Sequence, residues 1–119
     1  MLFGRMRCTA YDWIGEPAQN TPSQQAAARL VKDCVLRAPC DVQQLHPRDG
    51  NVHRLEAETA CAFFDVLTPP YDASQGRGCT YYLPEGEHDG HVVLRVWEDD
   101  DVSVPGVRYR GRRVQLAWP

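Results

Sequence analysis

The stretch from Gly50 to Tyr82, GNVHRLEAETACAFFDVLTPPYDASQGRGCTYY, decides how the chain is read. From Asn51 to Ala57 it carries the two-residue period of a strand, in which side chains alternate between faces. Asn51, His53, Leu55 and Ala57 share one face; Val52, Arg54, Glu56 and Glu58 share the other. The charged second face belongs in solvent, so the first face, with His53, is expected to point inward. An inward imidazole is either hydrogen-bonded or bound to a metal, because an unpaired buried polar group is costly. Ala62 to Leu67 reads as another strand, with Asp65 on the face of Phe63 and Leu67. A carboxylate among such neighbours needs a partner, either backbone amides or an arginine such as Arg77. The Pro69-Pro70 pair restricts the backbone and admits a cis bond. Cys79 and Tyr81, two apart at the start of a strand expected at Thr80 to Leu83, share a face. Taken alone they read equally well as a packed thiol and a tyrosine reaching solvent.

Outward from this stretch the chain reads as β structure. In Arg5 to Tyr11, Met6, Cys8 and Ala10 alternate with Arg5, Arg7 and Thr9, which predicts a strand. Gly15 to Gln25 is broken by Pro17, Asn20, Pro22 and Ser23 and is expected to be a loop. Ala26 to Val35 is ambiguous: Ala27, Leu30, Val31 and Cys34 have helical spacing, yet its second half also alternates. Further strands are expected at Val42 to Leu45, Val52 to Ala57 and His91 to Trp97, with turns at Pro47 to Gly50 and Glu85 to Gly90. There is no internal repeat and no low-complexity tract.

At 119 residues, a single domain is expected, and 43% hydrophobic residues suffice for a core. A net charge of −3 argues against a nucleic-acid footprint. No apolar run approaches the roughly 20 residues needed to span a membrane. The N-terminus lacks the continuous apolar run of a secretory signal. The five cysteines, Cys8, Cys34, Cys40, Cys61 and Cys79, are an odd number without a CxxC pair, and are expected to be reduced thiols in a cytosolic or nuclear protein.

Three segments, PRDGNVH at Pro47 to His53, FFDVLTPPYD at Phe63 to Asp72 and GRGCTYY at Gly76 to Tyr82, resemble in order and spacing the thiol dioxygenase family that contains the plant cysteine oxidases and the animal cysteamine (2-aminoethanethiol) dioxygenases. Looser similarity extends to LFGRMRCTAYDW at Leu2 to Trp13, CVLRAPCD at Cys34 to Asp41 and YRGRRV at Tyr109 to Val114. The resemblance implies an all-β, cupin-type (double-stranded β-helix, jelly-roll) barrel, with residues 1–119 as the C-terminal portion of one thiol dioxygenase domain, incomplete on its N-terminal side. It also makes Asp33 to Ala38 a strand, with a short helix before it still open.

The same resemblance implies a non-haem Fe(II) held by three histidines. His53 matches the third; the first two form an HxH pair upstream of the LFG segment and have no counterpart here. Cys79 and Tyr81 match a pair that becomes cross-linked near the iron in the animal relatives. Asp65 and Tyr71 match residues at the substrate end of the pocket. Gln75 departs from the family, which often has an acid there. The implied reaction adds O2 to a thiol, giving a sulfinic acid, with the plant-like segments favouring an N-terminal cysteine of a protein over free cysteamine. The resemblance also implies a part in oxygen sensing. The other class of reading is an inactive, truncated cupin serving as a binding or oligomerising module.

Other features are expected to be structural. His88 and His91 sit in a polar loop and His46 in a turn. The acidic run Glu98 to Asp101 and the arginines Arg108, Arg110, Arg112 and Arg113 read as solvated strand ends. No partner nucleic acid or membrane is expected.

Overall fold

The computed structural model describes residues 1–18, 24–97, 105–108 and 110–111. Among them the chain forms five strands: β1 (Arg5–Trp13), β2 (Gln25–Arg37), β3 (Val52–Ala57), β4 (Tyr81–His88) and β5 (His91–Trp97). They make one open antiparallel sheet in the order β3-β1-β2-β5-β4. The acidic run at 98–101 and the arginines at 112 and 113 lie outside the described residues; Arg108 and Arg110 are exposed.

The alternation expected in β1 is present, with Met6, Cys8 and Ala10 at 3%, 3% and 0% exposure between more open neighbours. β1 pairs with β2 on one side and β3 on the other, so its backbone is bonded along both edges. Ala28 on β2, Leu94 and Val96 on β5, and Ala18 in the loop after β1 complete the buried set. Trp13 and Tyr82 meet edge-on beside it, with ring centroids 5.1 Å apart.

The ambiguous segment from Ala26 is all strand: β2 is 13 residues long. It bonds to β1 from Ala28 to Arg37 and to β5 from Gln25 to Ala28, and these ladders together override the helical spacing of its apolar residues. An irregularity opposite Ala10 and Tyr11 brings Ala10 against Lys32 but Tyr11 against Leu30, leaving Val31 over.

Two expected strands do not form. Val42 to Leu45 is irregular, and Ala62 to Leu67 contributes only one bridge, Phe3 to Ala62. Alternation alone does not make a strand where no neighbour accepts its backbone groups. The turn expected over Glu85 to Gly90 is shorter, because β4 and β5 remain paired to His88 and His91. Only Asp89 and Gly90 turn, both with positive φ (50° and 77°), the conformation that suits a two-residue hairpin. The Pro47 to Gly50 turn forms, closed by reciprocal backbone bonds of 3.1 Å between His46 and Asp49.

Candidate functional site

β3 is placed by a lock at its entrance. The carboxylate of Asp12 accepts the Gly50 N–H at 2.7 Å and faces the Arg29 guanidinium at 3.8 Å. Gly50 is buried with φ of 65°, and a Cβ there would stand 3.2 Å from the Ala10 Cβ. From this point the chain enters β3 in a register that sets His53 opposite Ala10 and Leu55 opposite Cys8. His53 thus shares the face of Met6, Cys8 and Ala10. The opposite face is solvated as expected, with Arg54 and Glu56 paired at 2.9 Å. The imidazole is itself exposed, contrary to the expectation of an enclosed ring, because β3 is an edge strand with a neighbour on one side only.

The His53 Nδ1 lies 2.8 Å from the Asn51 carbonyl oxygen. A carbonyl can only accept, so Nδ1 carries the proton and Nε2 keeps a free lone pair. That is the tautomer of an imidazole whose orientation is held by one nitrogen while the other binds a metal. Fe(II) accepts imidazole nitrogen readily. Among the described residues, however, no group of three or more His, Cys, Asp or Glu gathers as a complete centre would need. The described residues therefore fit one ligand of an iron site, not the whole set. His88 and His91 face each other across the β4–β5 hairpin, on strand ends and not in a loop, and both are exposed.

The remaining sequence-singled residues come together around a second lock. Asp72 and Arg77 form an antiparallel bridge, with backbone bonds of 2.8 and 2.9 Å. The loop between them is a short 3-10 turn, Ala73–Gln75, capped by the Asp72 carboxylate on Ser74 N (3.0 Å) and Ser74 Oγ (2.6 Å) and closed by Gly76 with φ of 69°. Gln75 sits exposed inside this turn. Arg77 spans the neck, donating to the Pro70 carbonyl at 3.2 Å and to Asp72 at 3.4 Å. The Arg77 guanidinium is therefore bonded to Asp72, not to Asp65 as the sequence allowed. The Thr68-Pro69 bond is cis.

This loop returns the chain so that Tyr71 meets Cys79. Lost hydration and then the Cys79 thiol push the Tyr71 phenol upward, with Asp65 and Tyr81 adding to it. Tyr81, the first residue of β4, is pushed up as well, chiefly by the same Cys79 thiol. One thiol, two phenols and a carboxylate thus converge, with Asp65 on an irregular segment instead of a strand. The cluster is open: Tyr71 is 58% and Tyr81 44% exposed. Tyr81 also meets Trp97 edge-on at 6.4 Å. A separate groove lined by Tyr11, Trp13, Arg29, Arg48 and Tyr82 contains neither His53 nor this cluster. Sequence reasoning missed Asp12 and the Asp72–Arg77 closure. The second had a signal in Asp72-Ala73-Ser74 and Gly76, an Asx turn followed by a glycine stop.

With this geometry in place, the match to known proteins is informative. The family profile described as PCO_ADO covers residues 1–112, nearly the entire chain. The chain belongs to the PCO_ADO family. Its all-β sheet agrees with the cupin-type architecture of that family. It is 38% identical to plant cysteine oxidase 1 of Arabidopsis thaliana over 97% of its own length and 46% of that protein's. It is 31% identical to a probable 2-aminoethanethiol dioxygenase of Dictyostelium discoideum, over 84% of this chain and 46% of the other. It is 37% identical to the 2-aminoethanethiol dioxygenase of Homo sapiens, over 69% and 37% respectively. The chain spans less than half the length of each of these relatives.

Proposed function

We propose that this PCO_ADO chain serves an iron-dependent thiol dioxygenase, which joins both atoms of O2 to a thiol sulfur and yields a sulfinic acid, R–SH + O2 → R–SO2H. The observation that carries the reading is the convergence of Asp65, Tyr71, Cys79 and Tyr81 in a chain whose relatives are named for thiol oxidation. His53 is the metal ligand in this reading, through Nε2, with Asn51 holding the ring. Bound iron(II) would supply the activation of dioxygen beside the thiol. The chain's own residues do the positioning: Asp65 holds the substrate's ammonium, Tyr71 bounds that end of the pocket, and Tyr81 and Cys79 border the reacting sulfur.

The substrate class we infer is the N-terminal cysteine of a polypeptide. Its amine and thiol sit on adjacent carbons, as they do in free cysteamine. An open cluster leaves room for the peptide that follows. The plant relative matches 97% of this chain and the human one 69%, which supports the same choice. The test is oxygen uptake with an N-terminal-cysteine peptide and with cysteamine, comparing Asp65→Asn with the parent when each is joined behind the first half of plant cysteine oxidase 1, which by the family resemblance carries the HxH pair. Turnover should fall while most of the iron is kept; loss of iron in step with turnover would remove Asp65 from substrate binding.

A second reading, a cupin serving as a binding or oligomerising module, draws on Phe64 and Val66, which are 78% and 69% exposed beside the cluster. It forecasts self-association that Phe64→Ser abolishes and His53→Ala leaves alone, measured by sedimentation.

A further inference from the structure

Cys8 and Cys34 are direct partners in the β1–β2 register. Residues opposite one another in an antiparallel pair have Cα atoms about 4.5 or 5.5 Å apart, depending on which of the two alternating positions they occupy. Both values fall within the roughly 4.4–6.8 Å that disulfides span. Paired residues present their side chains to the same face, so both thiols lie on one side of the sheet at neighbouring positions. Among the described residues, no other cysteine has a cysteine as its register partner. Both are free thiols; Cys8 is 3% exposed and Cys34 is half-buried. Lys32 lies two residues before Cys34 on the same face of β2, with its Nζ donating to Gln43 Oε1 at 2.7 Å. Lys32 and Cys34 both act electrostatically on Cys8, Lys32 pulling its thiol down against a larger upward push from burial.

We propose that Cys8 and Cys34 are a modification site: a cross-strand dithiol that hydrogen peroxide closes to a disulfide joining β1 to β2. The two thiols differ in access, and this orders the steps. The more accessible Cys34 sulfur, as thiolate, attacks one peroxide oxygen; the O–O bond breaks, and a sulfenic acid and hydroxide form. The hydroxide takes up the proton Cys34 released. The Cys8 sulfur then attacks the sulfenic sulfur, the S–O bond breaks, and the departing hydroxide leaves as water with the Cys8 proton. Two thiols and one peroxide become one disulfide and two waters. Burial confines Cys8 to resolving the sulfenic acid formed on the more accessible Cys34. The bond would fasten two neighbouring strands at the covered part of the sheet, on the face that carries His53.

The test uses the full, reduced 119-residue chain, treated with an equimolar amount of hydrogen peroxide, alkylated under denaturing conditions and digested with trypsin without reductant. The expected product joins peptide 8–29 to peptide 33–37 with the loss of two hydrogens, and reductant separates them. Cys34→Ser, at the half-buried position, should fold, form no such product and leave Cys8 fully alkylated. In Cys8→Ala a second equivalent of peroxide should carry Cys34 on from sulfenic to sulfinic acid, because nothing resolves it. The proposal is overturned if Cys34 pairs with Cys40, Cys61 or Cys79 in the parent, if it reaches sulfinic acid while Cys8 stays a thiol, or if both remain unmodified.

Discussion

The backbones of Asp72 and Arg77 pair across the neck of a loop, at 2.8 and 2.9 Å, and this pairing delivers Tyr71 to Cys79. Asp72 also supplies a cap, and the residues between the two supply a tight turn and a left-handed glycine. The residues outside them supply the chemistry. The candidate site therefore depends on a loop that contributes no reacting group of its own.

Replacing Asp72 with Ala removes the cap on Ser74 and the side-chain bond to Arg77. A lost cap of this kind costs about 1 kcal/mol. The expected result is a shift of that order in denaturant unfolding, together with faster alkylation of Cys79 as Tyr71 moves away.

Tyr71, Tyr81 and Tyr82 all have their phenols pushed up, Tyr71 and Tyr82 chiefly by lost hydration and Tyr81 chiefly by the Cys79 thiol. Each favours the neutral phenol in the folded state. Their contribution to stability is fully present below the ordinary tyrosine value of about 10 and is lost as pH rises through the higher folded value. An ultraviolet alkaline titration should show phenols ionising later than free tyrosine. Cys79→Ala should bring Tyr81 back furthest and Tyr82 least, since burial dominates Tyr82. An unchanged titration in Cys79→Ala would separate the two tyrosines from the thiol.

Gly50→Ala places a Cβ against Ala10 at a positive φ. A non-glycine residue held there costs on the order of 1–3 kcal/mol. Unfolding should shift by that much, and hydrogen exchange should rise first in β3, whose entrance Gly50 and Asp12 form. A shift confined to β4 and β5 would show that the lock does not govern β3.

Much of the sheet was legible from local pattern. β3 and β5 have the bounds their alternation predicts, and β1 runs two residues past its own. β2 was not legible from Ala26 to Leu30, because alanines pack acceptably at either period and only the neighbouring strands decide between them. Ala62 to Leu67 has a strand's pattern but little backbone partnership beyond Phe3. In the site, His53, Asp65, Tyr71, Cys79 and Tyr81 were each visible as residue types in a matching motif. The meeting of Asp65, Tyr71, Cys79 and Tyr81 was not, since it depends on a turn whose closure pairs residues five apart. Nor could the exposure of His53 be read from its strand, because edge position is a property of the whole sheet.

Metal retention follows from the donor count. One imidazole holds iron weakly, and metal affinity depends on a full, deprotonated ligand set. The 119-residue chain alone, loaded with Fe(II) under anaerobic conditions and dialysed, is expected to keep a negligible fraction of one equivalent. A tight one-to-one complex would point to His46, His88 or His91 as additional ligands.

The central claim is that His53 holds the iron of a thiol dioxygenase, and it is tested most directly in a chimera. The chain is joined behind the first half of plant cysteine oxidase 1, which by the family resemblance carries the HxH pair. Iron content and the product from an N-terminal-cysteine peptide under 18O2 are then measured with His53 intact and with His53→Ala. The account predicts stoichiometric iron and a sulfinic acid carrying two 18O atoms when His53 is present, and loss of both in His53→Ala. A His53→Ala protein that unfolds more readily but keeps its iron and its doubly labelled product would contradict it.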